Sequence, residues 1–181
     1  MRSKQFVVGL LVFLCASFAS ASGLAPWSFG MTKEEVVGFT DLGPYKTFSN
    51  GDIETYNGVF DGGKENVQFF FVQGSLRRIG IYLYEGNDVN AARAAWIKAY
   101  TSLKAKYGDI EVPDVHADPK SDPINPEVLS IAAALNANLL GKTVMAPKVQ
   151  PTDMRVGSTI WRHDVQGVRF FYVSISLDRA P

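Results

Sequence analysis

The chain has 181 residues, with eighteen basic and eighteen acidic side chains, two histidines and one cysteine. The basic residues are scattered rather than clustered, which argues against nucleic acid or an anionic membrane as the partner. One cysteine cannot close an internal disulfide, so a buried core must hold the fold, and a chain of this length can bury one.

Arg2 and Lys4 form a basic start, Phe6 to Ala16 is a short apolar run, and Ala19-Ser20-Ala21 has the small-x-small pattern of a signal-peptidase site. About eleven apolar residues are too few to cross the roughly 30 Å hydrocarbon core of a bilayer. Residues 1–21 are therefore expected to be a signal peptide, cut between Ala21 and Ser22. Cys15 lies inside the apolar run behind the bulky Leu14, which is not a lipidation pattern. Cleavage leaves sixteen basic against eighteen acidic residues and no cysteine. No Asn-x-Ser/Thr acceptor occurs in the chain. The expected address is periplasmic or secreted, from a bacterium, with no membrane span in the mature form.

Met31-Thr32-Lys33-Glu34-Glu35-Val36 is a helix start. Thr32 and Glu35 are spaced for a capping box, and Met31 and Val36 for a hydrophobic staple, with Gly43-Pro44 as the stop. Capping accounts for Glu35 and solvent for Glu34, so the pair is not assigned acid–base chemistry. Tyr45 to Ser49, Asp52 to Phe60, Asn66 to Val72 and Leu76 to Tyr84 follow as strands. Asn50-Gly51, Asp61 to Lys64 and Gln73-Gly74 turn the chain between them. Such short connections permit only antiparallel neighbours.

Asn87 or Asp88 is placed to cap a long helix ending at Tyr107 before Gly108. Val89, Ala92, Trp96, Ala99, Tyr100, Leu103 and Tyr107 make its apolar stripe, with Trp96 as the anchor. Residues 109–126 are rich in Pro and Asp and form a surface connection. A third helix is expected from Asn125 to Gly141. Strands Lys142 to Ala146, Val156 to His163 and Val168 to Leu177 complete the chain, the last two as a hairpin. Phe170 to Ile175 load both faces of the final strand, which places it inside a sheet shared with the first half. The expected fold is a single α+β domain over 22–181. It has an antiparallel sheet, a meander of about four strands plus a C-terminal hairpin, with about three helices on one face.

The stretch from Trp27 to Val36 resembles the opening of small secreted bacterial α/β domains. Among these are the outer-membrane assembly accessory lipoproteins and relatives with the fold of the β-lactamase inhibitor protein. The resemblance implies a helix followed by an antiparallel meander, and it carries no functional residue over.

No nucleophile elbow, phosphate-cradling loop or paired-cysteine motif occurs. His116 has Asp114 and Asp118 nearby, and His163 adjoins Asp164 in a turn, but neither has ligand spacing. No metal, cofactor or catalytic residue is assigned. In the meander, alternation sends Ile79, Ile81 and Leu83 toward the helices. Tyr56, Phe70, Arg78, Tyr82 and Tyr84 are left on the other face, with Glu54 near them. Tyr, Phe and Arg are enriched at recognition surfaces, so these five are the candidate binding residues. The expected function is a non-enzymatic binding or envelope-assembly protein whose partner is an envelope protein, a peptide or an apolar ligand. The alternative is a cell-envelope hydrolase using carboxylates such as Glu54 and Asp61.

Overall fold

Local chemistry sets the first elements. The structure is a computed structural model that describes residues 22–112 and 142–181. It opens on a two-residue pair, β1 (Gly23–Leu24) against β2 (Trp27–Ser28), which the sequence did not signal. Helix α1 (Lys33–Val37) begins as expected. The Thr32 N–H donates to Glu35 Oε2 at 2.7 Å, and the Glu35 N–H donates to Thr32 Oγ1 at 3.3 Å. The helix stops at Gly38, earlier than Gly43, and a turn of 3₁₀-helix (Thr40–Leu42) fills the gap.

The four strands then run as an antiparallel meander: β3 (Tyr45–Thr47), β4 (Ile53–Phe60), β5 (Gly63–Val72) and β6 (Ser75–Gly86). Helix α2 (Val89–Tyr107) is capped by Asp88, whose side chain accepts the N–H groups of Asn90 and Ala91, and it ends at Gly108 with φ +83°. A second antiparallel series follows: β7 (Ile110–Glu111), β8 (Lys142–Pro147), β9 (Met154–Val165) and β10 (Val168–Arg179). β10 pairs with β6 along most of its length, so the sheet has eight strands in the order β3-β4-β5-β6-β10-β9-β8-β7. The two meanders are thus joined through their last strands.

The expected α+β class with three helices is overturned. Strands take 52% of the described residues and helical segments 21%, with two α-helices among them. The physical reason is the length and reach of the C-terminal hairpin. β9 and β10 each run twelve residues and pair throughout, and β10 then adds to the meander. The start of the Pro/Asp-rich connection is also a strand rather than a loop, since Ile110 and Glu111 pair with Pro147 and Ala146. The helix expected at Asn125 to Gly141, like the signal peptide, lies outside the described residues.

The helical segments lie on one side of the sheet. Trp27, Val36, Ile53, Phe69, Ile81 and Trp96 are at most 1% exposed and belong to one core. α2 packs on strands of both series, β6 and β10 at the centre and β7 to β9 beyond. No helix is long and apolar enough to cross a membrane among the described residues.

Candidate functional site

The opposite face of the sheet is built by the alternate residues of the same strands. Among the described residues no helix covers it. Register places its side chains in rows: Glu54 beside Gln68, Phe70 beside Arg78, and Asn66 beside Tyr82 in the first meander. Across the seam Tyr82 pairs with Ser174, and Arg78 with Asp178. Beyond it Ser174 pairs with Thr159, Tyr172 with Trp161, and Trp161 with Lys142.

The five candidate residues are divided by this geometry. Tyr82 lies in the middle of the face. Phe70 and Arg78 lie toward one end, where Arg78 is ion-paired with Asp178. Together with Val72, Arg77 and Arg179, those three line a cleft of about 300 Å³. Tyr56 follows the buried Thr55 at an irregularity in the β4–β5 pairing and is 64% exposed. Tyr84 lies on the helix side. An extra residue in β6 opposite Val173 and Ser174 shifts the alternation, so that Tyr84 pairs with Val173, a core residue. Its hydroxyl accepts the Asp88 N–H at 2.7 Å, at the start of α2. A bulge moves every later side chain to the other face, which is why Glu85, not Tyr84, continues the open face opposite Tyr172.

A shallow groove of about 690 Å³ lies on this face. Tyr82, Trp161 and Tyr172 give it an aromatic floor, and Gln68, Glu85, Lys142, Thr159 and Ser174 give it polar walls. Trp161 is 46% exposed. Its ring lies 5.8 Å from that of Tyr172, with 34° between the planes, and 5.4 Å from that of His163. Burial raises the Tyr82 phenol above its ordinary value, the nearby Glu85 and Glu54 carboxylates add to this, and Arg78 opposes it. Tyr82 is therefore a neutral hydroxyl that can donate or accept.

The sequence reading missed the second half of this groove. Trp161 alternates with the buried Ile160, and Tyr172 with the buried Phe171 and Val173. The apolar loading of both faces of β10 was the available signal; it marked the strand as interior without marking Tyr172 as a groove residue.

The two carboxylates of the hydrolase reading are kept apart. Glu54 is on the open face, buried and paired with Lys46 at 3.2 Å. Asp61 sits in the β4–β5 turn and accepts the Ser102 hydroxyl of α2 on the helix side. There it lines a separate groove of about 380 Å³ with Leu24, Phe60, Lys106 and Tyr107. Among the described residues no group of three or more His, Cys, Asp or Glu could hold a metal. His116 lies outside the described residues.

Compared with protein-family models, curated proteins and solved structures, the chain matches none.

Proposed function

We propose that this is an exported, non-enzymatic binding protein of the bacterial envelope, which takes its partner on the face of the sheet opposite α2. One observation carries the reading. A partly exposed tryptophan, Trp161, and a tyrosine, Tyr172, lie side by side on the sheet face opposite α2, in a groove whose remaining lining is Tyr82 and polar side chains. Side chains of this type bury large area with few rotatable bonds, and leaving them solvated costs a folded protein interaction energy that a partner can recover. Hydrolysis by Glu54 and Asp61 is disfavoured, because paired carboxylates act across one substrate bond and these two lie on opposite faces of the sheet.

The test uses the tagged chain recovered from the periplasm, with Ser22 expected as its first residue by N-terminal sequencing. Full-length chain held in the membrane is the result that overturns export. Capture of envelope components, protein and glycan, is then compared between wild type and the Tyr82→Ala/Trp161→Ala double variant. Both side chains are at least partly exposed, so folding is expected to survive, while capture falls at least tenfold. Equal capture by the two proteins sinks the face as a binding surface.

A further inference from the structure

The groove on the open face combines two kinds of chemistry, and together they specify a class of ligand. This inference rests on the binding-face reading above and goes on to its occupant. Trp161 and Tyr172 form a contiguous aromatic floor. The face of an aromatic ring is electron-rich, so it attracts the weakly positive hydrogens of C–H groups laid against it. Around the floor the hydrogen-bonding groups have both senses. Lys142 only donates, Glu85 only accepts, and Gln68, Thr159 and Ser174 do both.

Charge narrows the choice. The groove's formal charges, Lys142 and Glu85, cancel, and the charges nearby are already paired, Glu54 with Lys46 and Arg78 with Asp178. An ionic ligand meets no net opposite charge. An apolar ligand would strip water from the polar walls and return no hydrogen bonds, which is costly. The ligand that satisfies both parts is uncharged and flat, with a face of C–H groups and a rim of hydroxyls that donate and accept. A pyranose ring is built this way.

We infer that the groove binds a chain of uncharged pyranose sugars, with one ring stacked on Trp161 and Tyr172 and its hydroxyls bonded to the polar walls. At about 690 Å³ the groove falls in the range of ligand clefts, roughly 300–1,000 Å³. It has room for more than one ring, so an oligosaccharide fits better than a single sugar.

Tryptophan fluorescence gives a direct readout. Of the three tryptophans, Trp27 and Trp96 are 1% and 0% exposed, which leaves Trp161 as the one a ligand on the surface can touch. Cellohexaose, chitohexaose, maltohexaose and laminarihexaose are titrated against the mature protein, with calorimetry in parallel. At least one is expected to change the emission saturably. Trp161→Ala should weaken its binding tenfold or more, and Trp161→Phe, which keeps a ring, should retain most of it. Thr159→Arg, which sets a long cation into the groove from its polar lining, gives a second variant and should abolish binding with Trp161 intact.

If none of the four sugars binds, or if both Trp161→Ala and Thr159→Arg bind like wild type, the inference is overturned. Its failure is separable from that of the function proposed above. Loss of envelope capture by the Tyr82/Trp161 variant, with no sugar bound, removes the sugar and keeps the face. Unchanged capture removes both.

Discussion

Trp96 and Trp161 show how differently the fold uses one residue type. Trp96 stands in the middle of the α2 stripe between Ala92 and Tyr100 and has no exposed surface. Trp96→Ala is expected to cost about 3–5 kcal/mol, as for other large buried aromatics, measured by chemical denaturation. A variant within about 0.5 kcal/mol of wild type would contradict the burial, since only surface changes are normally that small. Trp96 was legible in the sequence because helical spacing exposes a buried stripe directly. Trp161 was not, because β9 inverts the usual polarity. It turns Ser158 inward, where the hydroxyl donates to the Ser174 carbonyl at 2.8 Å, and it turns Trp161 outward. A hydrophobicity pattern assigns those two positions the wrong way round. Glu54 and Thr143 are likewise polar residues that the fold buries, and composition alone does not say so.

At the level of elements, turn chemistry was the dependable signal. Asn50-Gly51, Gly74 and Gly167 close their hairpins with positive φ at each glycine, and the strands on either side pair as expected. What turn chemistry does not carry is the interruption of a strand by one extra residue. Such irregularities occur in β4, β6 and β10 pairings. The one at the end of β6 moved Tyr84 out of the candidate site. Gly58, at the irregularity in β4, shows why that geometry is fixed by sequence. A Cβ there would overlap Val67 Cγ2, and Val67 is fully buried on the strand beside it. Gly58→Ala should therefore destabilise the protein by about 1–3 kcal/mol, the usual cost of overpacking. A urea melt showing equal or greater stability would mean that β4 can move away from β5 without penalty.

For the whole molecule, the informative fact is that one helix and one core serve both meanders. α2 rests on the central pair β6 and β10 and on the strands beyond them, and the buried residues of both halves form a single cluster. Neither meander keeps its apolar side covered without the other, so the protein should unfold as one unit. Circular dichroism and tryptophan fluorescence are expected to give coincident transitions in denaturant. Two separated transitions would show that the halves are independent. The seam between them has a further consequence for the growing chain. Arg78 and Asp178 meet across β6 and β10 although 100 residues separate them in sequence, and contacts of such long range slow folding. β10 follows every other strand in the chain. Until Val168 and its successors have been synthesised, β6 carries a bare edge where the middle of the sheet will be, and bare edges invite wrong partners. The centre of this sheet is the last part of it that can be laid down.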